Sequence, residues 1–394
     1  MAVGGTSMEA VVSHQLATPT SVYVHVPFCR HRCGYCNFSL EADRDYLIPR
    51  YLKALRLEMA SRLAPEPCQV ETVYIGGGTP SRLTATQLTS LFQTIRERFY
   101  WDSSAEVTME ANPADLSAEY AETLQRLGIN RVSLGAQSFH PENLAVLERD
   151  HSAETIVAAV EHCRSFARSV SLDLIFGVPG ELLSTWLDDL QHALSLPIDH
   201  LSTYELTFEK GTRFWNRVYH RQWEPVDEDL RAEMYEAAID AAQAPGWNHY
   251  EISSFAAPGK ACRHNQTYWS GQPYYGFGPG AASFIHGSRT TNHPGLLAYC
   301  RRLETGQSPH SFIETLPPDQ AARERLAIGL RMLDGIDERS FLAHTGFMIE
   351  QVAERAVAEL VAIDLLRRID TSIQLTRRGV LLYDSVAGRL LTST

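Results

Sequence analysis

Residues 21–38 read Ser-Val-Tyr-Val-His-Val-Pro-Phe-Cys-Arg-His-Arg-Cys-Gly-Tyr-Cys-Asn-Phe, and their reading decides the fold. A strand-like run, 21–28, delivers the chain into a loop carrying Cys29, Cys33 and Cys36 at C-x3-C-x2-C spacing. Three thiolates can hold three irons of a [4Fe–4S] cluster and leave the fourth without a protein ligand. An iron with open coordination can chelate a small molecule through an amine and a carboxylate, as S-adenosylmethionine does. The pattern points to radical chemistry, or to a cluster retained from such an ancestor. Phe28 and Tyr35 stand beside the cysteines, where they would screen a cluster from solvent and oxygen. The competing reading is a structural zinc site completed by His25 or His31, although zinc usually takes two separated pairs of ligands.

Working outward, the same step from strand to polar loop recurs. Six β-like runs, 21–28, 71–75, 105–109, 130–134, 169–176 and 200–206, alternate with amphipathic stretches at 50–64, 85–99, 118–127 and 153–166. That alternation indicates βαβ units and a parallel sheet, which right-handed crossovers would curl into a partial (β/α)6 barrel. The run ends are polar or glycine-rich: Gly76-Gly77-Gly78-Thr79-Pro80, Glu110-Ala111-Asn112-Pro113, Gly135-Ala136-Gln137-Ser138, Asp173 before Gly177-Val178-Pro179-Gly180, and Tyr204-Glu205. In parallel barrels the active site lies at the carboxyl ends of the strands, so these tips would converge on one mouth.

Composition bounds the reading. A chain of 394 residues suggests two domains, or one barrel with an appendage. The net charge of −12 argues against a broad nucleic-acid footprint while leaving room for a local basic pocket. No segment approaches the ~20 apolar residues that span a bilayer. Seven cysteines, with Cys68, Cys163, Cys262 and Cys300 scattered, do not form a disulfide framework and fit the reducing cytoplasm. Residues 1–20 contain no Arg or Lys and no solid apolar block, so a disordered tail is expected there, not a targeting signal. Residues 21–286 are expected to form the barrel and its extension. The proline-punctuated 287–318 would be a linker. Residues 319–394 would form a mostly helical, winged-helix-like domain with a hairpin of 365–369 and 371–375 before a last helix, 378–391.

Candidate ligand contacts follow from the tips. The glycine edge would let backbone carbonyls approach an ammonium group, and without a following Gly-Lys-Ser/Thr it is not a phosphate loop. Arg149 could pair with a carboxylate, and Glu110, Gln137 and Asp173 could contact an amine or ribose hydroxyls. His264-Asn265-Gln266-Thr267-Tyr268-Trp269 opens an aromatic, glycine-rich stretch that would suit a flat macrocycle with imidazole as axial ligand. A lone histidine in such a stretch is otherwise a satisfied structural residue.

With those strings in view, the chain resembles the radical SAM proteins related to oxygen-independent coproporphyrinogen III oxidase, from about residue 21 to 391. Within them it is most similar to the haem-chaperone branch. The resemblance implies that Cys29, Cys33 and Cys36 bind the cluster and that Tyr23, Gly77, Gly78, Thr79, Glu110, Gln137, Arg149 and Asp173 bind S-adenosylmethionine. Thr207 and Ala282 join that set where the spacing drifts. Decarboxylating oxidases of this group carry a further cysteine two residues after the third, where this chain has Phe38. They also have a longer amino-terminal extension. The complete string His264-Asn265-x-x-Tyr268-Trp269 is the chaperone hallmark and raises His264 as a haem ligand. The implied function is haem binding and delivery to apo-haemoproteins, respiratory ones among the candidates. A monomer or homodimer and a transient membrane contact are both compatible with it. The alternative is radical decarboxylation of coproporphyrinogen III.

Overall fold

The protein was analysed as a computed structural model describing residues 18–243 and 246–392. All but the last three residues of the expected tail lie outside the described residues. Six strands lie parallel and adjacent in chain order: β1 (Ser21–Val26), β2 (Thr72–Gly77), β3 (Glu106–Ala111), β4 (Arg131–Gln137), β5 (Ser169–Phe176) and β6 (His200–Glu205). Two short strands, β7 (Asn248–Glu251) and β8 (Ser254–Ala256), extend the sheet antiparallel beyond β6. A third, β9 (Tyr275–Phe277), runs parallel to β1 at the opposite edge. The first strand stops at Val26 because Pro27 has no N–H for the ladder. This α/β sheet with its crossover helices is the expected partial barrel.

Period-2 alternation assigns its two faces. Val22, Val24, Val26, Val73, Ile75, Val107, Met109, Val132, Leu134, Val170, Leu172 and Leu201 are buried in one core with the helices. Those helices include α1 (Ile48–Arg62), α2 (Ala85–Arg96), α3 (Ala118–Leu127), α4 (Ala153–Arg164) and α5 (Leu183–Ser195). The other face is almost wholly polar: Tyr23, His25, Tyr74, Glu106, Thr108, Glu110, Arg131, Ser133, Ser171, Asp173, His200, Ser202 and Tyr204. Aliphatic side chains fill the interior of many small parallel barrels. A polar inner face here leaves the interior to hydrogen-bond networks and ligand. Local signals start and stop the helices. Thr84 caps α2 in a reciprocal box with Gln87, and Gly128, at φ 83°, ends α3.

The stretch 287–318 corrects the expectation of a linker. It holds β11 (Ser288–Asn292), a helix Leu296–Glu304 and β12 (His310–Thr315), with β10 (Ala282–Ile285) pairing onto β11. Leu296, Tyr299, Cys300 and Leu303 belong to the barrel's own core. The fully buried Glu58 of α1 accepts from Tyr299 Oη (2.6 Å), Asn292 Nδ2 (2.7 Å) and Gly278 N (2.9 Å), and pairs with Arg62 (2.6 Å). The prolines punctuate short elements, and those elements are too brief for periodicity to register.

A second core, running from Ala322 to Leu390, packs five helices against a small sheet of 336–337, 372–375 and 366–369. The hairpin Leu366–Ile369 with Ser372–Leu375 is present, as expected. The last helix is split into Arg377–Leu381 and Tyr383–Thr392. Among the described residues, no helix is long and apolar enough to cross a membrane.

Candidate functional site

The three thiols sit on the loop leaving β1, at the carboxyl end of the sheet. Cys29 is 8% exposed, and Cys33 and Cys36 are half-buried; none is in a disulfide. Burial pushes the Cys29 thiol up to about 11; Thr79 Oγ1, 3.3 Å from its sulfur, opposes that, and the neighbouring Cys36 and Cys33 add to it. Burial likewise raises Cys36. Thiols held this way must lose protons to a metal before they bind it. Among the described residues no three Cys, His, Asp or Glu side chains close on a single metal ion. His25 is engaged by Tyr23 Oη (3.0 Å) and Ser39 O (2.7 Å), and His31 by Glu148 (2.9 Å), so neither joins the thiols in a zinc set. Spaced thiols on one loop fit a multinuclear cluster, one thiolate per iron.

A clamp that the sequence reading missed holds this loop. Glu148, at φ 57°, accepts from Gly34 N (2.8 Å) and from Arg213 (2.6 Å), which also donates to Arg32 O (2.6 Å). Phe214 donates its N–H to Gly34 O (2.9 Å), and its ring lies where a Cβ on residue 34 would be. Tyr35 stands edge-on to that ring at 5.8 Å. Arg32 ties down the loop's far side through the carbonyls of Phe38 and Leu40. Phe38 itself is 64% exposed. The available signal was Gly34 between two cysteines, where a close approach demands glycine.

The glycine tip packs against this loop. Gly78 N bonds Val26 O and Thr79 N bonds Phe28 O, both at 2.8 Å. A Cβ at 76 would lie 2.9 Å from the Glu110 carboxylate, and Gly77 has φ +114°. Glu110 bridges two tips by accepting from Tyr74 Oη (2.8 Å) and Gly77 N (2.9 Å), and burial pushes its carboxyl up to about 7. Burial also raises Asp173, whose oxygens accept from Ser133 Oγ at 3.0 and 3.1 Å. Gln137 sits on a register shift at φ 66°. Arg149 reaches Gly135 O (3.2 Å) and, at 3.8 Å, Cys33 Sγ, while its buried Nε has no partner among the described residues.

Tyr23, Tyr74, Glu110, Gln137, Arg149 and Asp173 are only half-buried. Tyr204 keeps 45% of its surface accessible, yet burial drives its hydroxyl well upward. Protein surrounding a residue that water still reaches marks the wall of an open hollow. That hollow, with a spare guanidinium donor beside Cys33, has the chemistry for a zwitterion. The structure thus gathers Tyr23, Tyr35, Gly77, Gly78, Thr79, Glu110, Gln137, Arg149 and Asp173 around the cysteines' end of the sheet. Thr207 is exposed just past β6, and Ala282 begins β10, where its carbonyl faces Gly276 across the edge.

His264, the candidate haem ligand, is placed elsewhere, with both ring nitrogens engaged. It lies on a short helix, Arg263–Trp269, against the amino-terminal ends of β2 and β3 and is 0% exposed. Nδ1 hydrogen-bonds Thr72 Oγ1 (2.7 Å), Nε2 hydrogen-bonds Tyr268 Oη (2.8 Å), and the ring stacks on Tyr74 at 5.1 Å. Burial lowers its pKa to about 3. In this conformation the imidazole plugs the base of the barrel.

Comparison with known proteins agrees with this architecture. Residues 23–193 match the Radical SAM superfamily, and 316–382 match the HemN C-terminal domain. The chain is 38% identical over 380 residues to the haem chaperone HemW of Mycobacterium tuberculosis, covering 95% of each chain. It is 34% identical to the Bacillus subtilis haem chaperone HemW, covering 94% of this chain and 99% of that one. The solved structure of Escherichia coli coproporphyrinogen III oxidase (HemN), a radical SAM enzyme, superposes with a TM-score of 0.85 at 22% identity, covering 99% of this chain and 94% of that one, which shows the shared fold.

Proposed function

This chain belongs to the HemW family of radical SAM proteins, and on that premise we propose that it is a cytoplasmic haem chaperone that binds haem and passes it to apo-haemoproteins. The observation that carries the proposal is the similarity, over nearly the full length of both chains, to relatives named as haem chaperones. Cys29, Cys33 and Cys36 would hold a [4Fe–4S] cluster, which, when bound, supplies an open iron for the amine and carboxylate of S-adenosylmethionine. Around that ligand this chain's residues have separable roles. Arg149 brings a guanidinium with an unused Nε donor toward the carboxylate. Glu110 braces Gly77 and Tyr74 and fixes the glycine edge, and Asp173, buttressed by Ser133, presents oxygens to ribose hydroxyls. Tyr35 and Phe214 shield the loop. In this reading the cluster region regulates folding, dimerisation or haem release, and Phe38 stands where the oxidases have their extra cysteine.

The test is anaerobic reconstitution followed by incubation with coproporphyrinogen III, S-adenosylmethionine and reductant, with haem titrations in parallel. The expected result is about one haem per chain, no protoporphyrinogen, and transfer to an apo-haemoprotein. Formation of protoporphyrinogen would replace the chaperone reading by the oxidase one.

A further inference from the structure

We propose that haem docks on a surface ledge formed by the half-buried Trp215 and the exposed Tyr219 and His220, beside the cysteine loop, with His220 as axial ligand and Arg221 toward a propionate. The inference rests on the chaperone reading and goes beyond it by naming the site.

The segment 213–221 reads Arg-Phe-Trp-Asn-Arg-Val-Tyr-His-Arg, three arginines without an acid in a chain of net charge −12. A dianionic macrocycle is the complement of such a patch. Trp215 and Tyr219 stack at 4.7 Å with 15° between their planes, and Tyr219 is 66% exposed. Large exposed aromatics of this kind mark interaction surfaces. The His220 ring stands at 81° to Tyr219, 5.2 Å away. A macrocycle ligated by that imidazole lies perpendicular to it, an orientation compatible with packing along the two aromatic rings. Among the described residues the His220 ring makes no hydrogen bond, the opposite of His264, whose two nitrogens are both taken. Arg221 carries no ion pair among the described residues, whereas Arg217 packs over Trp223 and Arg213 is committed to Glu148.

The ledge is also joined to the cluster loop. Phe214, on the same short helix, is fully buried, bonds Gly34 through its N–H and packs edge-on against Trp223 at 4.7 Å. Arg217 lies over Trp223 at 4.4 Å. A ligand that shifts this helix therefore moves the backbone between Cys33 and Cys36, which gives the cluster a means of sensing haem.

The experiment is titration of the full chain with ferric haem, read by Soret absorbance and by the axial-ligand signature in electron paramagnetic resonance. His220→Ala should weaken binding by about tenfold or more and change the signature. His192→Ala, at another exposed histidine, stacked on Phe139 at 5.0 Å, should leave both unchanged. Trp215→Ala should weaken binding with the signature kept. Wild-type affinity and signature in His220→Ala overturn the ledge but not the chaperone reading. A wild-type chain that binds no haem overturns the chaperone reading, and the ledge with it. A His264→Ala chain that keeps native circular dichroism but loses haem, while His220→Ala retains it, also overturns the ledge.

Discussion

The two ends of the barrel meet the same problem, polar side chains facing inward, in opposite ways. At the carboxyl end Arg149 keeps an unused donor, Tyr204 remains open to water, and Gln137 and Glu148 hold left-handed backbone at φ 66° and 57°. Residues other than glycine enter that region at a cost. At the amino end His264 is sealed, and Glu106 accepts from the N–H groups of Arg263 (3.2 Å) and His264 (3.0 Å). Arg131 there reaches Ser169 Oγ (2.9 Å) and Lys260 O (3.0 Å). At the mouth a spare donor and left-handed backbone stand where a ligand is expected; at the base the polar atoms of His264 are both paired, although Thr108 Oγ1 and Trp269 Nε1 are left without a partner among the described residues.

The largest effect expected from this contrast is on the cysteine loop. Gly34→Leu puts carbon into the space of the Phe214 ring, so the loop cannot seat against its clamp. Iron and sulfide after reconstitution should fall to about a tenth of wild type while the fold survives. Full cluster content in that variant would mean that the clamp does not shape the site.

At the other end, His264→Ala should leave the cluster spectrum of folded protein intact and lower stability by about 2–4 kcal/mol, read from the urea midpoint. The loss combines an emptied volume beside Tyr74 with two orphaned hydroxyls, Thr72 Oγ1 and Tyr268 Oη. A change under about 0.5 kcal/mol would show that the ring is not a plug.

Much of this was legible in the sequence. The six parallel strands and their loop tips follow from periodicity, and the cysteine triplet locates the mouth. The polar inner face was also legible, since every second residue of 131–135 and 169–173 is Arg, Gly, Ser or Asp, but attention to strand tips passed over it. The clamp was not legible: Glu148 and Arg213 lie 65 residues apart, and only the fold brings them together. Nor was the setting of the histidine string. A motif names a residue without its surroundings, and the side of the barrel on which residues 263–269 land depends on how the chain returns after β6.

The same helix, 263–269, ends by gripping the second core. Arg331 lies between Trp269 (4.3 Å) and Tyr383 (5.2 Å) and reaches Glu251 at 3.4 Å. A lysine cannot stack as a planar guanidinium does, so Arg331→Lys should cost about 1 kcal/mol. Tryptophan fluorescence during urea unfolding should then show the second core loosening ahead of the barrel. A single coincident transition at the wild-type midpoint would place the coupling elsewhere.

The smallest effect separates the two ends by sign. Glu110 titrates near 7 in the folded chain because burial disfavours its charge, against about 4.3 when unfolded. Between those values the native state holds a proton that the unfolded state has released. Its contribution is therefore full below about pH 4.3 and is lost as pH rises through 7. His264, lowered to about 3 from about 6.5, works in the reverse sense: its contribution is present above pH 6.5 and drains away as pH falls toward 3. Glu110→Gln removes the first dependence alone. At about pH 3.5, where both folded and unfolded chains hold the proton, the amide replaces a neutral acid of the same shape and stability should be unchanged. At pH 8 the variant escapes the cost of a buried charge and should exceed wild type by about 1 kcal/mol, although it gives up one of the two acceptors that serve Tyr74 and Gly77. Urea midpoints at the two pH values decide it. Equal differences at both would mean that water in the hollow solvates Glu110 as freely as bulk solvent does, and the mouth would then differ from the base in openness alone, not in the charge state it prefers.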